Sequence, residues 1–108
     1  MPIFRGMELE RTAERLEALG NATRLGIYRI LVRAGDDGLS VGEVQARTEI
    51  PRSTLSHHLQ RLTRVGLVSQ ERRATTLICR ANYVAMNETL SFLVSECCAD
   101  ARATDDAA

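Results

Sequence analysis

Apolar residues recur at helical spacing through most of this chain and at strand spacing over one stretch near its middle. Leu9, Ala13, Leu16 and Leu19 return every three or four positions among Glu8, Glu10, Arg11, Glu14, Arg15 and Glu17, which predicts an amphipathic helix ending near Gly20. Asn21 is placed to cap a second helix over 22–34, where Leu25, Ile27, Tyr28, Ile30, Leu31 and Val32 cover most of the circumference, the pattern of a central buried helix. Gly35-Asp36-Asp37-Gly38 then breaks the chain. Ser40 and Glu43 form a capping-box pair that opens a short helix running to about Thr48. Ile50-Pro51 ends the following turn, and Pro51 pre-sets a helix over 52–65 that Gly66 closes in the left-handed conformation. Two helices joined by a tight turn make a helix-turn-helix.

The 52–65 helix has two faces of different chemistry. At about 100° per residue, Leu55, Leu59 and Leu62 form one stripe, while Ser53, Ser56, His57, Gln60, Arg61 and Arg64 point the other way. A polar face of hydroxyls, an amide, a histidine and arginines, without a carboxylate, suits phosphates and base edges. His57 lies opposite the leucines and faces outward; His58 flanks the stripe and is expected to be packed and hydrogen-bonded. Residues 67–71 and 75–81 carry β-type content on either side of Arg72-Arg73-Ala74, so a hairpin is expected with the two arginines at its tip. Asn82 caps a last helix in which Tyr83, Met86, Leu90, Leu93 and Cys97 repeat at alternating spacings of three and four, a seam suited to another helix. The small polar residues after Cys98 predict a disordered tail. The expected organisation is an N-terminal arm (1–7), one domain (8–98) and a tail (99–108).

At 108 residues and 44% hydrophobic content the chain is expected to bury about two-thirds of its unfolded surface in a single domain. No run approaches the ~18 apolar residues of a membrane span, and the first residues lack an apolar signal core, so a cytoplasmic protein is expected. The net charge is zero, yet between Arg47 and Arg80 seven arginines face only Glu49 and Glu71, a local excess of five positive charges. All fourteen cations are arginine, which fits bidentate phosphate or guanine contacts. Three cysteines, an odd number, argue for thiols rather than a disulfide framework. An enzyme is not expected: there is no carboxylate–histidine cluster and no glycine-rich phosphate loop.

Three stretches, 19–25 (Leu-Gly-Asn-Ala-Thr-Arg-Leu), 53–59 (Ser-Thr-Leu-Ser-His-His-Leu) and 64–68 (Arg-Val-Gly-Leu-Val), resemble in order and spacing the ArsR/SmtB family of winged helix-turn-helix repressors. The resemblance covers residues 8–98. It implies a mainly α fold of about five helices and one β-hairpin wing, a homodimer formed through the first and last helices, and the helix from Arg52 seated in the major groove of operator DNA. On that reading Ser53, Thr54, Ser56, His57, Gln60 and Arg61 lie nearest base edges or phosphates, and Arg52, Arg64, Arg72 and Arg73 contact phosphates. Ala74 stands where relatives often have glycine.

Family members sense metals or metalloids through cysteine or histidine. One family arsenic site falls on Ser40 and Gly42 here, and the zinc site of the last helix has no histidine to supply it, so neither carries over. Cys97 and Cys98 match a branch in which a vicinal cysteine pair senses trivalent arsenicals, some members adding a wing-strand cysteine such as Cys79. Arsenite takes three thiolates and a monomethylated arsenical two; soft thiolates select such soft centres. The implied function is operator binding without any required cofactor, released when a trivalent arsenical binds Cys97 and Cys98, either as a two-thiolate organoarsenical site or as a site that Cys79 completes. Two alternatives stand beside it: a thiol-redox-responsive repressor of the same fold, and a winged-helix protein-interaction module with structural cysteines.

Overall fold

The computed structural model describes residues 6–101, whose main elements are five helices and a three-stranded sheet. In order these are α1 (Met7–Leu19), α2 (Ala22–Ala34), β1 (Leu39–Ser40), α3 (Val41–Thr48), α4 (Arg52–Arg64), β2 (Val68–Arg73), β3 (Thr76–Ala81) and α5 (Tyr83–Val94). Residues 1–5 of the expected arm and 102–108 of the expected tail lie outside the described residues. Residues 99–101, expected to be disordered, are helical.

Local signals set the helix ends. Asn21 Oδ1 accepts the Arg24 amide at 3.0 Å and Asn82 Oδ1 the Ala85 amide at 3.1 Å. At α3 both halves of the capping box form: the Glu43 amide donates to Ser40 Oγ at 3.0 Å, and the Ser40 amide to Glu43 Oε1 at 3.1 Å. The bond from the Ser40 amide, and then the Ser40 hydroxyl, hold the Glu43 carboxyl below the usual carboxylate range. Glu49 ends α3 in the left-handed region, at φ 58°. At the end of α4 the Gly66 amide donates to Thr63 O and the Leu67 amide to Leu62 O, both at 3.0 Å, with Gly66 at φ +82°. That is a Schellman closure, and Leu62 and Leu67 are buried beside it.

The core lies where α2, α3 and α4 meet the sheet. Leu31, Val44, Leu55, Leu62, Leu67 and Cys79 have no accessible surface, with Ile27 and Leu59 at 1%. The sheet order is β1-β3-β2, antiparallel, with Leu39 and Gln70 flanking Cys79 on the central strand. A two-residue strand carries no periodic signal, so β1 was invisible to the hydropathy pattern. The wing also differs at its tip. Arg72 and Arg73 are the last residues of β2, paired with Leu77 and Thr76, and the turn is Ala74-Thr75, with Ala74 at φ 54°.

In α2, Ile27, Tyr28 and Leu31 are buried and Ile30 and Val32 pack against the core, as their spacing predicts, while Leu25 remains exposed. The first and last helices leave much of their apolar stripes outside. In α1 the buried residues are Thr12, Arg15 and Ala18, whereas Leu16 and Ala13 face outward. In α5 the buried residues are Ala85 and Thr89, and Leu90 and Leu93 of the expected seam are exposed. α1 and α5 therefore meet through small and polar side chains and keep their apolar stripes outside. No helix among the described residues is long and apolar enough to cross a membrane.

Gly38, at φ +69°, joins the break after α2 to β1, and a Cβ there would meet the Cys79 carbonyl oxygen at 2.5 Å and Arg80 Cγ at 2.7 Å. Gly38→Ala is expected to lower stability by about 2–3 kcal/mol in urea unfolding. Gly26→Ala, in an exposed stretch of α2 with nothing within 4 Å of the added atom, is expected to raise it by about 0.5–1 kcal/mol. Equal midpoints for the two variants would contradict the packing described.

Candidate nucleic-acid interface

Burial of Leu55, Leu59 and Leu62 forces the opposite side of α4 into solvent. Ser53, Ser56, His57, Gln60 and Arg64 are all exposed there, and no carboxylate lies on the helix. Thr54 and Arg52 are exposed at its first turn, and Arg52 Nη1 donates to Gln45 Oε1 of α3 at 3.2 Å. No side chain caps the N-terminus of α4, so its first-turn amides keep their donor capacity for an outside acceptor, as phosphate-binding helix starts do.

Arg61 lies on the flank of α4, and its Nη2 donates to Glu17 Oε1 of α1 at 3.3 Å in an ion pair open to solvent. The same flank also meets Arg24, whose Nε donates to Ala18 O at 2.8 Å and whose Nη1 lies 3.4 Å from His58 Nδ1. Burial, then the charges of Arg24, His57 and Arg61, push the His58 pKa down, which leaves a neutral ring able to accept from Arg24. The two adjacent histidines thus divide as their positions on the helix require: His57 exposed, His58 half-buried.

On the wing, Glu71 Oε1 pairs with Arg80 Nη1 at 2.8 Å and Arg73 Nε at 3.4 Å, and the Arg80 hydrogen bond leads the effects that hold the Glu71 carboxyl below its usual range. Arg73 is therefore partly neutralised, while Arg72 is exposed and in no ion pair among the described residues. Of the two wing arginines Arg72 is the better placed for an external phosphate.

The three cysteines fall into two environments. Cys97 and Cys98 are exposed on the turn that follows α5, their sulfurs 3.7 Å apart, with Cys98 at φ 58°. Cys79 is fully buried on the central strand, accepts from Gln70 Nε2 at 3.4 Å, and has its thiol pushed up by burial. Among the described residues no three cysteine, histidine or acidic side chains converge as a metal group. One chain thus brings Cys97 and Cys98 together, and strand pairing on both sides holds Cys79 in the core. Sequence reasoning also missed Arg15, Glu17 and Arg24. They look like solvated charges between helix apolar positions, and only their long-range partners distinguish them.

With this geometry in hand, residues 19–71 match the family model described as a helix-turn-helix domain. The chain is 37% identical over 86 residues to the transcriptional activator HlyU of Vibrio cholerae, covering 71% of this chain and 77% of that protein. The solved HlyU structure superposes with a TM-score of 0.67 at 35% identity, covering 82% of this chain and 97% of that one. An ArsR-like transcriptional regulator from Rhodococcus sp. RHA1 shares the fold, with a TM-score of 0.77 at 23% identity over 91% of this chain and 90% of that one. The homodimeric winged helix-turn-helix DNA-binding domain of Mb0332 from Mycobacterium bovis, described as a possible ArsR-family regulator, has a TM-score of 0.66 at 27% identity, covering 88% and 91%.

Two measurements check the site. Arg64→Ala is expected to lower the salt dependence of duplex binding by about one unit of log–log slope, and Glu17→Gln, which releases Arg61 and removes a carboxylate beside α4, to strengthen binding at low salt; anisotropy over a potassium chloride series reads both. A thiol reagent is expected to titrate two of the three cysteines in the native protein and the third only after denaturation. Rapid native labelling of Cys79 would contradict the burial.

Proposed function

Because the chain belongs to the ArsR family of winged helix-turn-helix transcriptional regulators, we propose that it is a homodimeric repressor that holds a palindromic operator when ligand-free and leaves it when a trivalent arsenical binds Cys97 and Cys98. The relatives and the fold are those of DNA-binding regulators, not enzymes. The observation that carries the DNA reading is the exposed, carboxylate-free face of α4 above three fully packed leucines. Two such helices in a symmetric dimer would enter successive major grooves about 34 Å apart.

Support for the dimer comes from the surface. Met7, Val84, Leu90, Leu93 and Val94 are each more than half exposed on α1 and α5, a concentration of large apolar groups that a second copy would remove from water. The Mb0332 domain, of like architecture, is described as homodimeric.

The inducer assignment rests on the adjacent sulfurs of Cys97 and Cys98, close enough for one metalloid atom to bridge. A pair of thiolates without Cys79 matches a monomethylated arsenical, which takes two, better than inorganic arsenite, which takes three. A disulfide between neighbouring residues is strained, and Cys79 is sequestered, so the redox alternative has no well-formed partner pair. Releasing DNA by a factor of 100 requires about 2.7 kcal/mol of differential ligand affinity between the two dimer geometries.

The test uses the Cys97→Ser, Cys98→Ser double variant with the promoter of its own gene. The variant is expected to bind as wild type does and to stay bound when methylarsenite is added, while the wild-type complex dissociates. Release from the variant would remove the cysteines from the mechanism. A wild-type protein indifferent to duplex DNA at low salt would remove the DNA reading itself. Since HlyU is described as an activator, a reporter fusion reads the sign: deletion is expected to raise expression.

A further inference from the structure

The C-terminal end of α4 is held by α1 and α5 at one point. Arg15, with a side chain only 10% exposed, donates through Nε to Val65 O at 2.9 Å and through Nη1 to Glu88 Oε2 of α5 at 3.1 Å. Asn82, which caps α5, donates through Nδ2 to Gly66 O at 3.0 Å and through its amide to Leu67 O at 2.8 Å. Gly66 permits the approach: a Cβ there would lie 3.3 Å from Arg15 Nη2, in a backbone region that already favours glycine. A buried guanidinium at a helix C-terminus meets the negative end of the helix dipole and the carbonyls that no intrahelical amide satisfies. A buried arginine is held by geometry, because losing either partner strands charge away from water.

We propose that Arg15 is a positioning residue for DNA reading: together with Asn82 it couples α5 to the end of α4, so that the setting of α5 dictates the angle at which α4 is presented. The Arg15–Glu88 pair lines the groove between α1 and α5, beside Val84 on the same apolar surface that a second copy would cover. Coupling therefore runs from the dimer surface through the Arg15 guanidinium, beside the Asn82 tether, to the last turn of α4. Glu88, at 53% exposure, is the accessible end of this link, and Arg15 the buried one. The assignment rests on reading α4 as the DNA-contacting helix; the coupling itself can be measured without DNA.

Full-length wild type, Glu88→Ala and Arg15→Met are compared by amide hydrogen exchange in the absence of DNA, and by anisotropy with the promoter duplex and a scrambled duplex of equal length. Glu88→Ala is expected to speed exchange across residues 63–67 by about 5- to 10-fold with α2 unchanged, and to lower the promoter-to-scrambled affinity ratio by a similar factor while scrambled binding holds. Arg15→Met, which also loses the bond to Val65, is expected to show the same change more strongly; should it fail to fold, Glu88→Ala decides. Unchanged exchange at 63–67 in both Glu88→Ala and a folded Arg15→Met overturns the coupling through Arg15 whatever the DNA result. Equal loss of affinity for both duplexes overturns the positioning role, because simple destabilisation lowers both alike. Wild type that binds the two duplexes equally would count against the DNA reading alone, and the exchange result would still settle the coupling.

Discussion

Three leucines on one helix organise this molecule. Leu55, Leu59 and Leu62 are removed from water almost completely, each contributing about 1.5–3 kcal/mol relative to exposure, and together they fix the rotation of α4 about its own axis. Once that rotation is set, Ser53, Ser56, His57, Gln60 and Arg64 have nowhere to point but outward. A change of one residue in register would turn the reading face by about 100° and bury arginine. The flanking contacts, Arg61 to Glu17 and Arg24 to His58, are weaker and more exposed; they trim the orientation that the leucines impose.

The second constraint is the inversion at α1 and α5. A helix that buries Thr12, Arg15 and Ala18 while exposing Leu16 is poorly arranged for a solitary monomer, and so is one that buries Ala85 and Thr89 while exposing Leu90, Leu93 and Val94. Small residues allow the two helices to approach closely, and the larger apolar surface is left for association. Placing an arginine at this junction brings the end of α4 under the influence of the surface where a second copy would sit. Fold stability and the setting of α4 thus share some of the same contacts.

Electrostatics and thiol chemistry follow from placement. Zero net charge conceals a cationic segment, and within it Glu71 absorbs part of the wing charge through Arg80 and Arg73, leaving α4 and Arg72 as the open positive surface. The cysteines separate in the same way. Burial suppresses thiolate formation at Cys79, whereas Cys97 and Cys98 sit together at the exposed end of α5, where a thiophilic ligand has access.

Much of the architecture was legible in the chain alone. The capping box at Ser40, the asparagine caps, the Gly66 closure and the leucine stripe of α4 all express preferences acting within about four residues, and each appears where those preferences put it. The outward set on α4 followed from the same periodicity, with Arg61 at its flank. What sequence could not decide was which face of α1 and α5 turns inward, that Arg15 ends in a carbonyl fifty positions away, that β1 joins the sheet, and that Cys79 is fully buried while Cys97 and Cys98 are exposed. Those outcomes depend on partners brought near only by folding. Local pattern states what a segment prefers, but which preference prevails is settled by packing among distant segments, and that requires the tertiary structure.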